Sequence, residues 1–372
     1  MVEDNNWYEL SAPAEIDSPV LLVFPERVKH NIALAVEMAG GPANLRPHIK
    51  THKSPEVARL MLEAGITKFK CATIAEAELL AMVGAPDVLL AYQPTGPKLN
   101  RFVRLVQQYP GTVFSLLTDN LEVANEQAKA ISTAGSRSGV YVDLNVGMDR
   151  TGIVPGPAAA ELYRHCATLE GFHVKGLHAY DGHIRNVSLD QRAIACDAAF
   201  APVISLQQSL MNDGLPAPVI IAGGSHTFPI HCKRENVECS PGTFVYWDQG
   251  NRDYCPEQHF EFAAVLMTRI ISFPAEGVIC TDLGHKSVAA ENPITHRLKF
   301  LNAPGLIPVS QSEEHLVLRA PAAHTYKTGD VLYAIPYHVC PTVALYESVQ
   351  TIEYRRLTGQ WRTLARDRVV TV

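Results

Sequence analysis

The chain has 372 residues, 47% apolar, 8% aromatic and 19% charged, which is ample for a large core and long enough for two domains. Its 32 Lys and Arg against 38 Asp and Glu give a net charge of −6 with no block of one sign, so nothing marks a nucleic-acid or membrane surface. No apolar stretch approaches the ~18–20 residues that span a bilayer. The opening "MVEDNNWYEL" lacks the basic and apolar regions of a secretory signal. Eight cysteines (71, 166, 196, 232, 239, 255, 280 and 340) follow no framework spacing, and read as reduced thiols of a cytoplasmic protein.

From residue 18 to about 225, short apolar runs alternate with longer amphipathic ones. The expected strands are "SPVLLVF" (18–24), "LRPHIK" (45–50), "KFKCAT" (68–73), "DVLLAYQ" (87–93), "TVFSLLTD" (112–119), "GVYVDLNVG" (139–147), "FHVKGLHAYDG" (172–182) and "PVIIAGG" (218–224). Helical spacing fills the gaps, as in 28–38, 54–65, 74–84 and 120–132. Continuous apolar strands separated by helices indicate a parallel sheet covered on both faces. Eight of them in this length predict an α/β fold, a closed (β/α)₈ TIM-type barrel over residues 18–250. An open doubly wound sheet is the alternative, disfavoured because no glycine-rich dinucleotide fingerprint follows the first strand. From 251 to 372 the runs become β-rich and alternating, with turns expected at "KTGD" and "LTGQ" and a mostly antiparallel β domain as the result. Residues 1–17 form an N-terminal segment that can join it.

Barrels of this kind carry their working residues at the C-terminal strand ends. Those positions collect Lys50, Arg150, Tyr180 to His183, and Gly223, Gly224 and Ser225. A strand-end lysine among other cations is a Schiff-base candidate, because like charge and desolvation disfavour an ammonium. A Gly-Gly-Ser turn can offer backbone N–H groups to a phosphate. Arg150 is placed to face a cofactor ring. Each signal is weak alone; on one rim they suggest a pyridoxal-phosphate site. In a strand, His338 and Cys340 would project on one face, and an imidazole/thiolate pair favours Zn²⁺ over Mg²⁺ or Ca²⁺.

The motifs "RPHIKTHK" (46–53), "VDLNVGMDRTG" (142–152), "GLHAYDGH" (176–183), "IAGGSHT" (221–227), "DLGHKSV" (282–288) and "YHVCPTVALYE" (337–347) together resemble the fold-type III pyridoxal-phosphate enzymes, within them the D-threonine aldolase and D-serine dehydratase group. The resemblance spans nearly the whole chain. It implies an alanine-racemase-like barrel with a C-terminal β domain, Lys50 as the imine lysine, and Arg150 against the pyridine nitrogen. Tyr180 and the Gly223–Ser225 turn would complete the cofactor site, and His338 and Cys340 would hold a divalent metal, Zn²⁺ or Mn²⁺. It also implies a small D-amino acid as substrate and a homodimer.

Two positions depart from the aldolase pattern. Cys340 stands where aldolases carry aspartate and dehydratases cysteine. Asn186 stands where the aldolase base would be, leaving His183 as substitute; His178 reads better as a hydrogen-bonded core residue. The leading expectation is retro-aldol cleavage of D-3-hydroxy-amino acids to glycine and an aldehyde. Alternatives are β-elimination to a 2-oxo acid and ammonia, and a non-catalytic pyridoxal-phosphate carrier.

Overall fold

A computed structural model describes residues 6–372; of the expected N-terminal segment 1–17, residues 1–5 lie outside them. The first strand, β1 (Val20–Val23), does not enter the parallel sheet. That sheet has seven parallel strands in chain order: β2 (Lys68–Cys71), β3 (Asp87–Leu90), β4 (Val113–Thr118), β5 (Ser138–Leu144), β6 (Phe172–Ala179), β7 (Val219–Ala222) and β8 (Val237–Cys239). Leu45 makes a parallel bridge to Cys239 of β8, and His48 makes another to Lys70 of β2. The segment 45–48 therefore stands between the last strand and the first, and closes the ring.

The expected strands are shifted by one place. Segment 45–48 is the first stave, 218–224 holds the seventh, and 237–239 is the eighth. "SPVLLVF" misled because a continuous apolar run reports burial on both faces, not the direction of its neighbours. Leu21, Leu22 and Val23 are fully buried, but between antiparallel and parallel partners of the other sheet.

That second sheet adds β9 (Ala264–Ala275), β10 (Val278–Thr281), β11 (Leu298–Phe300), β12 (Ile307–Gln311), β13 (Leu316–Arg319), β14 (Val331–Pro336), β15 (Ser348–Glu353) and β16 (Arg356–Arg362). Its order is β12-β13-β10-β9-β1-β15-β16, with β14 on β9 and β11 on β14. Only β1 with β15 is parallel. Tyr8, Leu10 and Ile16 pack with Leu22, Val265, Met267, Tyr333 and Ile352, so the described N-terminal segment belongs to this core. The hairpin between β15 and β16 turns at Tyr354 and Arg355, whose φ values are 51° and 63°. Two consecutive positive φ angles are what a tight hairpin needs. The expected turn "LTGQ" instead lies within β16. Two compact units result: the chain up to Asn31 with Thr243–Asp253 and His259–Leu364, and Ile32–Gly242 with Tyr254–Gln258 and Ala365–Val372. An expected barrel of 18–250 thus loses its first strand to the β domain.

The helices start where local chemistry caps them. Asn120 accepts from the N–H groups of Glu122 and Val123 at the head of Leu121–Thr133, Thr73 accepts from Glu76 at the head of Ile74–Met82, and Ser188 accepts from Gln191 at the head of Leu189–Asn212. None of the eight cysteines forms a disulfide.

The floor of the barrel is ionic. Arg46, 1% exposed, bonds Asp87 on β3 and Glu238 on β8, each at 2.7 Å. Lys68 of β2 reaches Glu238 at 2.5 Å, and Lys175 of β6 reaches Asp87 at 3.3 Å. Strands that are not neighbours meet here, so these contacts cross the lumen. Above them Leu89, Leu117, Tyr141 and Ile221 form an apolar layer. Replacing Arg46 by methionine would leave two carboxylates in the lumen without their shared guanidinium. That change should cost about 3–5 kcal/mol in chemical denaturation; a loss under ~1 kcal/mol would mean the floor does not hold the ring.

Candidate active site

Beyond His48 the closing segment coils into a 3₁₀ turn, Ile49–Thr51. The His48 imidazole accepts the Lys50 N–H at 3.2 Å and fixes this exit from the strand. Lys50 is half-buried at the barrel mouth, its Nζ 5.9 Å from the centre of the Tyr180 ring. Lys70 Nζ lies 5.7 Å from the same ring, and the Arg150 guanidinium 4.7 Å. One aromatic ring thus gathers three cations.

The other charges of "RPHIKTHK" are spent elsewhere. Arg46 sits in the floor, and His52 is buried, accepting the Ser54 N–H at 3.1 Å, with burial holding its pKa at about 3. Lys53 has φ 52°, which turns it to the buried Glu76; that carboxylate also accepts the Ala72 N–H at 2.7 Å. Lys50 makes no ion pair among the described residues.

Below the mouth lies a chain that the sequence reading missed. Asp143 of β5 accepts from Thr151 Oγ1 at 2.9 Å and from His178 Nδ1 at 2.7 Å, and His178 Nε2 faces Lys70 Nζ at 3.5 Å. Burial, then the Lys50 charge, lowers Lys70 to about 7. Burial also lowers His178, against the raising effect of Asp143, so the ring is neutral. Lys70, near the end of β2 in "KFKCAT", is a strand-end lysine as Lys50 is. His178 is the buried, hydrogen-bonded residue expected.

The rim is built by the loop after β7, the seventh strand rather than the eighth. Gly223 has φ +76°, and a Cβ there would meet His231 Cδ2 at 2.7 Å. Asp181 anchors this loop, accepting from Thr227 at 2.7 Å and His231 at 2.8 Å. The Gly224 and Gly242 N–H groups make only long bonds, 3.3 Å to Thr227 and 3.4 Å to Ser225. Ser240 Oγ, just past β8, is buried without a hydrogen-bond partner among the described residues. His183 is exposed, with its ring against Gly147 of the neighbouring loop.

The expected metal pair is not in a strand. β14 stops at Pro336, and His338 caps the short helix Val339–Val343. The chain turns because buried Asp248 accepts the Val339 N–H at 2.9 Å, while Thr342 Oγ1 donates to the His338 carbonyl at 2.8 Å. The two side chains still meet. Partial burial opposes a charge on His338, but Cys340, then Glu291 and Asp248, outweigh it and raise the imidazole to about 9. Glu291 Oε1 sits 2.5 Å from His338 Nδ1, and the Cys340 thiol makes a second hydrogen bond to the ring. A second set lies in the barrel unit: the Asp181, Cys196 and His231 ligand atoms all fall within 4.8 Å of one another. Their polar atoms largely satisfy each other, with Cys196 Sγ 3.3 Å from His231 Nε2.

Residues 24–249 match the family described as "Alanine racemase, N-terminal domain". The chain belongs to that family. Residues 263–352 match a serine dehydratase domain. D-threonine aldolase of Arthrobacter sp is 26% identical over 360 residues, covering 95% of this chain and 93% of its own. D-threo-3-hydroxyaspartate dehydratase of Delftia sp. (strain HT23) is 23% identical over 377 residues, covering 94% and 97%. The crystal structure of D-threonine aldolase from Filomicrobium marinum matches with a TM-score of 0.86 at 24% identity, covering 95% and 96%.

The alanine-racemase-like family groups with the fold-type III pyridoxal-phosphate enzymes, and this chain is a pyridoxal-phosphate-dependent lyase. Its residues fit that cofactor. Lys50 offers an uncommitted amine, and Ser240 with the loosely held Gly224 and Gly242 amides offers donors for a phosphate. No helix among the described residues is long and apolar enough to cross a membrane.

The two lysines three residues apart should separate in stability measurements. Lys53→Met leaves Glu76 buried without its counter-ion and should cost about 3 kcal/mol or more. Lys50→Met in the cofactor-free protein should cost nothing, and by relieving the repulsion on Lys70 should stabilise the fold by about 1 kcal/mol at neutral pH. Equal losses would show that Lys50 is committed structurally as well.

Proposed function

We propose that the protein is an aldolase that cleaves D-3-hydroxy-amino acids to glycine and an aldehyde. The observation that carries this reading is the convergence of Lys50, Arg150 and Tyr180 at the barrel mouth, with a loosely bonded glycine rim beside them. Lys50 would carry the cofactor, and Arg150 would face its ring nitrogen. Gly223, Gly224 and Ser225 would hold the phosphate, with Tyr180 packed beneath the cations. Bound pyridoxal phosphate supplies the electron sink into which the Cα–Cβ bond breaks. An arginine in place of a carboxylate at the nitrogen disfavours protonation there and weakens that sink. Part of the activation must then come from elsewhere.

His338 and Cys340 would hold a divalent ion, which would supply Lewis acidity. Glu291 would orient His338 through Nδ1, as second partners of ligating histidines do. His183, solvent-accessible and without a hydrogen bond among the described residues, would take the β-hydroxyl proton.

The second reading is dehydration, favoured by the thiol at Cys340. There an amine base would remove the α-proton and the hydroxyl would leave, giving a 2-oxo acid and ammonia. Incubation with D-threonine, D-serine and D-3-hydroxyaspartate separates the two. Glycine with an aldehyde supports the aldolase; ammonia with an oxo acid as the sole products would replace it by the dehydratase. Chelation should abolish turnover, and Zn²⁺ or Mn²⁺ should restore it. Cys340→Ser should empty the protein of metal and lower kcat by roughly 10²-fold or more, whereas Cys196→Ser should retain both. Metal kept in the first variant and lost in the second would move the ion to the Asp181 cluster.

A further inference from the structure

Besides Lys70, the buried cations among the described residues of the barrel unit are Arg46 and Arg192; these and the half-buried Lys53, Lys68 and Lys175 all meet carboxylates. Arg46, Lys68 and Lys175 share Asp87 and Glu238, Lys53 takes Glu76, and Arg192 takes Glu257. Lys70 is only 3% exposed and has no carboxylate in reach among the described residues; its one hydrogen bond there is to His178. An uncompensated buried ammonium is costly. A lysine that served packing alone would be matched as the others are.

The direction of its hydrogen bond follows from its neighbours. Burial raises Asp143, but His178, Thr151 and Arg150 outweigh it and hold the carboxyl below its ordinary range, so it is ionised. It therefore takes the proton of His178 Nδ1, and the neutral ring presents its Nε2 lone pair to Lys70. Lys70 donates one hydrogen along this line. Its Nζ and that of Lys50 lie 5.7 Å and 5.9 Å from the centre of the same Tyr180 ring.

We propose that Lys70 is a second working amine of this site, a positioning residue whose charge state is coupled to that of Lys50 across the barrel mouth. The role rests on Lys50 being the cofactor-bearing lysine. The charged and titratable groups around Lys70 are His48 and Lys50 from the closing segment, Asp143 and Arg150 from β5 and its loop, and His178, Tyr180 and Asp181 from β6 and its loop, while the paired strand β3 presents only Leu89. Desolvation and the two cations outweigh the two acids, which brings Lys70 to about 7 from 10.5. Between those values the unfolded chain holds a proton that the native protein has released. Stability therefore rises with pH through that window, and the full penalty applies below it.

Lysine side chains labelled with ¹³C at Cε, followed by NMR in the cofactor-free protein, test this directly. One signal should titrate near neutral pH and vanish in Lys70→Met. In Lys50→Ala the same signal should move up by about one pH unit, the size expected for losing one nearby like charge. Lys70→Met should also gain more resistance to denaturation at neutral than at alkaline pH. If Lys70→Met does not fold, the Lys50→Ala shift decides alone. All lysines titrating in the ordinary range, or a low signal unmoved by Lys50→Ala, would overturn the proposal. Because the measurement needs no cofactor, its failure is distinct from failure of the Lys50 assignment, which chemical labelling of the loaded protein reads.

Discussion

Arg46 is the residue on which the site depends. It enters from the stave that closes the ring, crosses the lumen, and is gripped by carboxylates from β3 and β8. The segment 45–48 contributes only two isolated bridges to the sheet, far fewer than an ordinary strand. Its position is therefore set by side-chain charge as much as by backbone pairing. In an extended chain alternate residues share a face. Fixing Arg46 in the floor sends His48 to the middle of the lumen, and the His48 imidazole then catches the Lys50 amide at the mouth. One buried ion network thus aims Lys50 into the barrel mouth.

The same layering explains why a protein with 19% charged residues hides so many of them. The floor holds matched charges, the next layer is apolar, and the mouth holds cations that an aromatic ring and a neutral histidine accept in place of acids. Matched charges stabilise position; unmatched ones are kept reactive. Lys53 and Lys50 illustrate the contrast, three residues apart. A left-handed backbone at Lys53 delivers it to Glu76, whereas Lys50 stays in the lumen.

Much of this was legible in the sequence. Seven of the eight staves, the helices between them, the β-rich C-terminal third, and the grouping of Lys50, Arg150, Tyr180 and the Gly223–Ser225 turn on one rim all follow from periodicity and strand-end logic. What escaped was relational. "SPVLLVF" reads the same in either sheet, because apolarity records burial and not partnership. The stave at 237–239 is three residues long and contains Glu238, so it carries no apolar signature; its membership comes from the ion pair with Arg46. Pro336 and the buried Asp248 convert the expected strand at His338 into a capped helical turn, a tertiary effect no local pattern encodes. Glu291 and the Asp143–His178–Lys70 chain lie on separate elements that only the folded chain brings together.

The central claim is that Lys50, and neither of the lysines near it, bears the cofactor. Borohydride reduction of the protein loaded with pyridoxal phosphate, followed by proteolysis and mass spectrometry, would locate the attachment. The account predicts a single phosphopyridoxyl mark, on Lys50. A mark on Lys53 or Lys70, or no lysine marked at all, would contradict it.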